Sequence, residues 1–424
     1  MELSELHKIF LNYPVACTDT RKIKKGCIYF ALKGPNFNGN EFAELALEKG
    51  AAYAIVDEEI YSTSGKTILV KNVLPTLQEL ATYHRNYCKA KIISLTGSNG
   101  KTTTKELINR VLAKKYKTIA TQGNLNNHIG VPLTLLTIKE ETEIAVVEMG
   151  ANHQKEIELL AAIAQPDFGY ITNFGKAHLE GFGGVEGVIK GKSELYDNLL
   201  SNKKYVFLNA DDPIQKEKLS TYIKKFGFSE TDYEYYNIKF LEANPFVKLE
   251  FEDIEVRTQL IGSYNFTNCA IAALMGKYFN VKNSDIKNAL ETYQPENNRS
   301  QLIEQNGHHI ILDAYNANPT SMKAALESFA QVESKNKILF LGDMFELGEA
   351  AVLEHQAIAN LAKEMGFKNT FLVGANFFKT TTKHKKFNSF ETLKEYLKNN
   401  TLDTSSILIK GSRGMALERI LEYI

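Results

Sequence analysis

Cysteine is scarce in this sequence, and its few positions share no chemistry. The four cysteines, Cys17, Cys27, Cys88 and Cys269, are far apart and form no CxxC pair. Zinc sites and disulfide frameworks both depend on several cysteines at characteristic spacings. The sequence therefore indicates neither, and we expect reduced thiols.

The sequence also lacks an excess of positive charge and a long apolar run. Basic and acidic side chains balance at 50 each, whereas a nucleic-acid-binding domain usually carries a basic patch. No apolar stretch approaches the roughly 20 residues of a membrane span, and the first residues lack the basic start and apolar core of a signal peptide. We expect a cytoplasmic monomer that binds no nucleic acid and enters no membrane.

Internal repeats and low-complexity segments are missing as well, so domains must be found from changes of pattern. The 424 residues exceed what one hydrophobic core usually organises. Strand and helix patterns alternate from Lys91 and again from Arg299, which predicts parallel sheets covered by helices. We predict three α/β domains at residues 1–88, 89–297 and 298–424, with an antiparallel hairpin between about Tyr233 and Leu260.

Nine apolar segments are the expected strands of the second and third domains. They are KIISLTG, KTIAT, EIAVVEMG, DFGYITNFG and YVFLNADD in the second domain, and HHIILDAYN, KILFLGDM, NTFLVGA and SSILIKGS in the third.

A glycine-rich loop, TGSNGKTTT, follows the first strand of the second domain and precedes a helical pattern that begins at Lys105. Small residues let backbone N–H groups approach phosphate oxygens, Lys101 can reach the outer phosphates, and the Thr102 hydroxyl can hold Mg²⁺. Leu95 replaces the first glycine of the common GxxxxGK[ST] pattern, but the order of strand, loop and helix is that of a phosphate loop. We predict that ATP or GTP is bound by Gly97, Ser98, Asn99, Gly100, Lys101, Thr102 and Thr103.

Three more polar side chains follow this loop in the second domain. Glu148 ends the strand AVVEMG, His178 follows YITNFGKAH, and Lys192 lies in a helical pattern. Ligands of open parallel sheets bind at the carboxyl ends of the strands, where Glu148 offers Mg²⁺ an oxygen ligand and His178 offers a second ion a nitrogen ligand. Singly, each residue has an ordinary explanation as a strand-end acid, a hydrogen-bonded histidine or a solvated lysine. Together with the phosphate loop, they favour one shared pocket.

These motifs, in this order, resemble the Mur ligase family across essentially the whole chain. TGSNGKTTT is similar to the family's ATP loop, EMGA to its acidic metal motif, and NFGKAHLEGFG to its histidine motif. Lys192 in KSELY corresponds to the lysine that becomes carbamylated and so offers an anionic oxygen to a second Mg²⁺. The resemblance implies a central P-loop ATPase domain between a small α/β substrate domain and a C-terminal Rossmann-like domain. It also implies catalytic roles for Lys101, Glu148, His178 and Lys192, with Thr102 and Glu148 on one Mg²⁺ and His178 and Lys192 on the other.

Four segments resemble the family members that add D-alanyl-D-alanine to UDP-N-acetylmuramoyl-tripeptide in peptidoglycan synthesis. They are GNLNNHIGVPLTLL, LDAYNANPTSM, LGDMFELG and KGSRGMALE, of which DAYNANP is the most specific. The resemblance implies substrate contacts at Asn126, Asn127, Asn316, Asp343, Ser412 and Arg413, the last three on the side of the acceptor dipeptide.

Two further segments extend the resemblance to the UDP and adenine ends of the substrates. DTRKIKKGCIYFALKGPNFNGNEF resembles the region that holds the UDP group, and GSYNFTNCAIAA resembles the adenine-side motif. The implied UDP contacts are Thr20, Arg21, Asn36, Phe37 and Gly39; the implied nucleotide contacts are Asn265, Asn268, Arg299 and Asp313, with Arg299 on phosphate and Asp313 on ribose.

The reaction implied by this resemblance converts the terminal carboxylate of the tripeptide into an acyl phosphate, which the amine of D-alanyl-D-alanine then attacks. One alternative is another ligase of the same type, adding the third amino acid or a folate glutamate, although DAYNANPTSM argues against it. A second alternative is a nucleotide-gated binding protein that ligates nothing. The third residue of the tripeptide, diaminopimelate or lysine, is not encoded in a motif.

Overall fold

The structure is a computed structural model that describes residues 1–296 and 298–424. The helices are α1 (Leu3–Asn12), α2 (Ala43–Glu48), α3 (Val73–Cys88), α4 (Lys101–Leu112), α5 (Gly130–Leu135), α6 (Glu156–Ala164), α7 (Leu179–Phe182), α8 (Val185–Ser201), α9 (Pro213–Lys218), α10 (Phe266–Tyr278), α11 (Asn283–Glu291), α12 (Pro319–Gln331), α13 (Ala351–Glu364), α14 (Ala375–Phe378) and α15 (Phe390–Lys398). The first thirteen strands are β1 (Ala16–Cys17), β2 (Ile28–Phe30), β3 (Lys33–Gly34), β4 (Phe37–Asn38), β5 (Tyr53–Val56), β6 (Thr67–Leu69), β7 (Lys91–Thr96), β8 (Thr118–Ala120), β9 (Ile144–Glu148), β10 (Phe168–Ile171), β11 (Tyr205–Asn209), β12 (Lys225–Ser229) and β13 (Tyr236–Asn237). The remaining strands are β14 (Lys239–Ala243), β15 (Phe246–Phe251), β16 (Ile254–Ile261), β17 (Gln301–Gln305), β18 (His308–Asp313), β19 (Lys337–Gly342), β20 (Asn369–Val373), β21 (Lys385–Phe387) and β22 (Ser406–Lys410).

The N-terminal sheet is small and parallel, in the order β1-β2-β5-β6. The antiparallel ribbon β3-β4 projects from it. Helix α3 joins this part to the next, and its side chains hydrogen-bond the central domain: Thr82 donates to the Ile163 carbonyl at 2.9 Å, and the Arg85 guanidinium pairs with Asp167 at 2.8 Å. The N-terminal sheet is therefore tied to the central domain through α3.

The central sheet has seven parallel strands in the order β13-β12-β11-β10-β7-β9-β8. Strands β7 and β9 are almost fully buried, because helices cover both faces of a parallel sheet. The chain builds β8 and β9 on one side of β7 and then β10 to β13 on the other. The carboxyl end of β7 thus lies at the point where the strand order reverses, which is where such sheets bind ligands.

The C-terminal sheet has the order β17-β18-β22-β19-β20-β21 and is parallel except for its antiparallel edge strand β17. Between the two large sheets, β14, β15 and β16 form a separate antiparallel sheet. The predicted α/β fold, with a P-loop parallel sheet in the centre and a Rossmann-like sheet at the C-terminal end, is confirmed. The domain limits at 88 and 297 stay predictions, and residue 297 lies outside the described residues. No strand of one large sheet pairs with a strand of another within the described ranges.

The nine expected strands of the second and third domains are all present, but four further strands were not anticipated. These are β12, β13, β17 and β21. The last three lie at sheet edges, where burial leaves a weak pattern, whereas β12 lies one strand inside the edge. The helix after the phosphate loop begins at Lys101 and not at Lys105, so Lys101 and Thr102 occupy its first turn. No helix in the two described ranges is long and apolar enough to cross a membrane.

Candidate functional site

A cavity of about 930 Å³ lies between the central and C-terminal domains. Its central-domain wall contains the phosphate loop, the end of β9 and the segment before α7, and its C-terminal wall contains the loops after β18, β19 and β22. The carboxyl ends of these strands therefore face each other across one space. The predicted residues that line it are Ser98, Asn99, Gly100, Lys101, Thr102, Thr103, Asn126, Asn127, Glu148, His178, Asn265, Asn268, Arg299, Asp313, Asn316, Ser412 and Arg413.

The phosphate loop is shaped by two glycines with positive φ. A Cβ on Gly97 (φ +143°) would lie 1.9 Å from the Thr172 hydroxyl oxygen, and one on Gly100 (φ +79°) would lie 2.7 Å from Asn268 Oδ1. The Lys101 ammonium folds back onto the carbonyls of Gly97 at 2.7 Å and Ser98 at 3.2 Å. Burial lowers the pKa of Lys101, with the carboxylate of Glu148 opposing that shift. Gly97 itself packs against the end of β10 and is not among the cavity-lining residues.

Glu148 offers one free carboxylate oxygen in a buried position. The side chain is 2% exposed; Oε1 accepts from Asn126 Nδ2 at 2.8 Å, and Oε2 has no hydrogen-bond partner within the described part of the chain. The nearest cation is the Lys105 ammonium, 3.9 Å from Oε2. A buried anionic oxygen without a partner is costly unless a cation or donor reaches it. Glu148 and the Thr102 hydroxyl, both on the cavity wall, therefore fit the oxygen donors that Mg²⁺ takes together with substrate phosphates.

No group of three histidine, cysteine or acidic side chains in the described ranges is placed to hold a metal ion alone.

His178 lies on the cavity wall, but its Nδ1 is engaged by a residue of the other domain. The partner is the carboxylate of Glu346, in the loop after β19. Because a carboxylate only accepts hydrogen bonds, Nδ1 carries a proton in this contact. The bond from His178 lowers the pKa of Glu346, which keeps that group ionised.

Lys192 is fully buried on α8 and is not among the cavity-lining residues. Its ammonium nitrogen donates to the Ala151 carbonyl at 3.0 Å and lies 4.9 Å from the centre of the Phe182 ring. No acidic side chain lies within ion-pair distance of it in the described residues. Burial lowers the pKa of Lys192 well below its ordinary value, and the charge of Lys101 lowers it further. The neutral amine favoured in this way is the form that can react with carbon dioxide.

The adenine-side asparagines form a buried chain behind the phosphate loop. Thr104 donates to Asn268 Oδ1 at 2.9 Å, Asn268 Nδ2 donates to Asn265 Oδ1 at 2.8 Å, and Asn265 Nδ2 donates to the Ile261 carbonyl at 2.8 Å. This chain connects α4 to the start of α10. Both asparagines also line the cavity, and their contact with a nucleotide stays a prediction.

Arg299 and Asp313 lie at the junction with the C-terminal domain. The Arg299 guanidinium stacks on the Tyr315 ring, 3.5 Å from its centre. Asp313 accepts from the Ser300 backbone N–H at 3.1 Å and pairs with the buried ammonium of Lys410. Lys410 was not singled out from the sequence, although the segment KGSRGMALE contains it.

The residues expected on the acceptor side are only partly brought together. Ser412 and Arg413 line the cavity, and Arg413 pairs with Glu418 at 2.6 Å. Asp343 is 3% exposed and is not among the lining residues. Its two carboxylate oxygens accept from the backbone N–H groups of Asn376 and Phe377, each at 2.9 Å, so they support the start of α14.

Asn127 and Asn316, two of the predicted substrate contacts, each hydrogen-bond a backbone group of their own loop. Asn127 Oδ1 accepts from the Gly130 backbone N–H at 2.8 Å at the start of α5. Asn316 Oδ1 accepts from the Ala317 backbone N–H at 2.9 Å, and its carbonyl faces Lys410 at 3.3 Å. Each side chain therefore orders its own loop at the cavity wall.

The five residues expected to contact UDP lie in the N-terminal domain, apart from the lining of this cavity. Phe37 is 57% exposed on the ribbon β3-β4, with Asn36 in its turn. A Cβ on Gly39 would lie 2.2 Å from the Leu32 carbonyl oxygen, which requires glycine there. Thr20 and Arg21 stand in a short helix over residues 20–22, where the Arg21 guanidinium pairs with Asp19 at 2.8 Å and remains 86% exposed.

Besides the contact between His178 and Glu346, three further contacts join the central and C-terminal domains around the cavity. Asn318 Nδ2 donates to Asn99 Oδ1 at 2.7 Å, which places the start of α12 directly on the phosphate loop. The Lys176 backbone N–H donates to the Thr320 hydroxyl at 2.9 Å, and the Lys176 ammonium pairs with Glu354 at 2.6 Å. Asn318 and Glu346 were not named from the sequence, but both stand in motifs already recognised there.

Comparison with known proteins agrees with this arrangement. The family models for the Mur ligase middle domain and for the Mur ligase, glutamate ligase domain match residues 95–276 and 298–413. The UDP-N-acetylmuramoyl-tripeptide–D-alanyl-D-alanine ligase of Bacillus subtilis (strain 168) is 34% identical over 421 residues, covering 96% of this chain and 92% of the relative. Similar solved structures include MurF from Acinetobacter baumannii, at 32% identity and a TM-score of 0.84 over 96% of this chain and 92% of that one. MurF from Thermotoga maritima in complex with ADP has 25% identity and a TM-score of 0.85 over 97% of both chains.

Proposed function

Since the chain belongs to the Mur ligase family, we propose that it joins D-alanyl-D-alanine to UDP-N-acetylmuramoyl-tripeptide with consumption of ATP. The observation that carries this proposal is the cavity itself, where a phosphate loop and a buried carboxylate with a free oxygen face the motifs of the C-terminal domain. The name borne by the Bacillus subtilis relative, which matches nearly the whole chain, supplies the substrates. The other Mur-type ligases and the non-ligating binding protein are thereby set aside.

The first half of the reaction takes place at the phosphate loop. The terminal carboxylate of the tripeptide attacks the γ-phosphorus of ATP; the bond to the β–γ bridging oxygen breaks, and acyl phosphate and ADP result. Lys101 leaves the carbonyls of Gly97 and Ser98 and neutralises the transferred phosphoryl group. Arg299 reaches the phosphates from the neighbouring domain, and Asp313 the ribose. A carboxylate activated in this way carries a leaving group that an amine can displace.

Two Mg²⁺ ions would offset the negative charge of the phosphates, one held by Thr102 and Glu148 and the other by His178 and Lys192. For Lys192 this requires the carbamate, because an amine is a poor ligand for Mg²⁺. The burial of Lys192, which lowers its pKa and so favours the reactive amine, supports that modification.

The second half of the reaction needs the acceptor dipeptide and the exclusion of water. The amine of D-alanyl-D-alanine attacks the acyl carbon, a tetrahedral intermediate forms, and phosphate leaves as the new amide is made. Ser412 and Arg413 hold the acceptor from the C-terminal wall. The contact between Asn318 and Asn99 keeps that wall closed over the phosphate loop, which protects the acyl phosphate from hydrolysis.

The donor substrate extends from the N-terminal domain to the cavity. Thr20, Arg21, Asn36, Phe37 and Gly39 bind its UDP end, while Asn126, Asn127 and Asn316 border the tripeptide end. This division fits a substrate whose uridine diphosphate and reacting carboxylate are at opposite ends. The enzyme acts in the cytoplasm as a monomer.

The test is incubation of the protein with Mg-ATP, D-alanyl-D-alanine and the UDP-linked tripeptide containing either diaminopimelate or lysine. Phosphate release and product mass are followed together, and Lys101→Ala serves as the inactive control. We expect a pentapeptide product that requires all three substrates, and ¹⁸O from a labelled tripeptide carboxylate should appear in the released phosphate. ATP turnover without a pentapeptide would contradict the proposal, and ¹⁸O-free phosphate beside a normal product would contradict the acyl phosphate alone.

A further inference from the structure

The loop after β19 is fixed within the C-terminal domain at three successive backbone N–H groups. Asp343 donates to the Val373 carbonyl at 3.0 Å, Met344 donates to His355 Nε2 at 2.9 Å, and Phe345 donates to the Ser412 hydroxyl at 2.9 Å. His355 is fully buried, and its Nδ1 donates to the Ala351 carbonyl at 2.6 Å, so its Nε2 can only accept. The tip of this loop is thus presented to the cavity in one defined position.

Glu346, at that tip, makes two contacts with the central domain. Its carboxylate accepts from His178 Nδ1, and its carbonyl accepts from the Glu180 backbone N–H at 3.2 Å. Both Glu346 (φ +59°) and His178 (φ +53°) adopt the left-handed conformation that residues other than glycine rarely take. Such conformations persist where surrounding contacts determine them, and they concentrate at functional sites.

The contact fixes which ring nitrogen of a neutral His178 is left as an acceptor. Free neutral histidine carries its proton mainly on Nε2, whereas a carboxylate at Nδ1 holds the proton there and leaves Nε2 unprotonated. Carboxylates that orient a histidine in this way are common partners of histidines that bind cations. Here the carboxylate comes from a different domain from the histidine.

We propose that Glu346 is a positioning residue that fixes the orientation and tautomer of His178, so that His178 becomes competent only when the C-terminal domain docks. The proposal rests on the proposed ligase function. Through the Glu346 side chain, docking of the C-terminal domain both closes the cavity and fixes His178. Glu346 and His178 are 168 residues apart in the chain. A general contribution of Glu346 to domain docking is a separate effect, and the chain offers a control for it.

That control is the ion pair between Lys176 and Glu354, which joins the same two domains without touching the His178 ring. Glu354→Gln removes the charge of an interdomain pair and leaves Glu346 in place. Glu346→Ala removes the acceptor at Nδ1, while Glu346→Gln retains a neutral acceptor oxygen in a side chain of similar volume. Alanine at φ +59° is no better suited than glutamate, so backbone strain does not separate the variants.

The first readout is the tautomer of His178 in the full-length protein, from long-range ¹H–¹⁵N correlation spectra of histidine-labelled samples assigned with a His178→Asn variant. We expect the Nδ1–H form in the wild type, in Glu346→Gln and in Glu354→Gln, and a shift toward the Nε2–H form in Glu346→Ala. The second readout is steady-state ligation, in which Glu346→Ala should lower kcat by about tenfold or more. Glu346→Gln should recover part of that loss, and Glu354→Gln should change kcat less than threefold.

The inference is overturned if His178 keeps the Nδ1–H form in Glu346→Ala, or if Glu354→Gln lowers kcat as much as Glu346→Ala does. Should Glu346→Ala fail to fold, Glu346→Asn replaces it, because asparagine tolerates the left-handed conformation and its shorter side chain draws the polar group away from Nδ1. An Nδ1–H form and a wild-type kcat in Glu346→Asn would overturn the inference. Absence of pentapeptide from the wild type would count against the ligase function, while the spectra would still decide the role of Glu346.

Discussion

Gly100→Ala tests whether the phosphate loop needs glycine for its backbone conformation or for the space beside it. Gly100 has φ +79°, and an added Cβ would lie 2.7 Å from Asn268 Oδ1. Asn268 cannot move freely, because Thr104 and Asn265 hold its two amide atoms. The substitution therefore carries a conformational cost and a packing cost.

The two costs can be estimated separately. Placing alanine at a left-handed φ costs about 1–2 kcal/mol. Displacing Asn268 breaks its two side-chain hydrogen bonds, and at roughly 1 kcal/mol each these add about 2 kcal/mol. We expect Gly100→Ala to lower the unfolding free energy of the central domain by about 3–4 kcal/mol, which is large for a single methyl group.

Gly366→Ala is the matched control, since Gly366 has the same φ of +79° but nothing within 4 Å of an added Cβ. It should lower the unfolding free energy of the C-terminal domain by only about 1–2 kcal/mol. Both values come from urea titrations read by hydrogen exchange in peptides from α4 and from α13, which report the two domains separately. An equal loss in the two variants would refute the reasoning, because it would show that Asn268 yields to the methyl group without cost.

Three further substitutions address the site. Lys192→Ala should lose ligation and regain part of it with short carboxylic acids, which replace the carboxylate of the carbamate; the readout is pentapeptide formation. Arg413→Ala should raise the KM for D-alanyl-D-alanine more than that for ATP, measured by initial rates, because Arg413 lies on the acceptor wall. Asn318→Asp should keep the α12 cap on the Ser321 N–H, 2.9 Å away, but lose the donor to Asn99. The result should be more phosphate released per pentapeptide formed, since water reaches the acyl phosphate.

Each of these three predictions would be contradicted by one result. Wild-type activity in Lys192→Ala would show that ligation needs no carbamate at that position. A larger effect of Arg413→Ala on the KM for ATP would move Arg413 to the nucleotide side. An unchanged ratio of phosphate to pentapeptide in Asn318→Asp would mean that the contact with Asn99 does not keep water out.

The alternation of strand and helix patterns determined the fold class from the sequence. Buried parallel strands such as β7 and β9 are continuous apolar runs, and the glycine-rich loop between β7 and α4 has one physical use at that position. The weak points were edge strands such as β17 and β21, whose half-exposed residues carry little pattern. The first turn of α4 was also missed, because glycine, asparagine and threonine favour loops in isolation.

Within the site, the sequence predicted which residues are present, whereas the residues that they contact depend on the tertiary structure. Lys101, Glu148, His178 and Lys192 were predicted to share a pocket. The first three line one cavity, whereas Lys192 is buried and is not among the lining residues. The roles of all four in catalysis stay predictions. Nothing in the sequence distinguishes Asp343, which supports a helix start, from Ser412, which faces the cavity. That difference depends on the direction of side chains after folding.

What the sequence by itself determined is the chemistry available at the ends of the strands, because motif residues follow strand patterns at fixed spacing. What only the tertiary structure decided is which of those residues meet across domains: Asn99 with Asn318, and His178 with Glu346. The local sequence pattern reflects the period of a helix or strand and the residues that end it. A contact between residues more than 150 positions apart depends on how two separately folded sheets dock, and no local pattern carries that information.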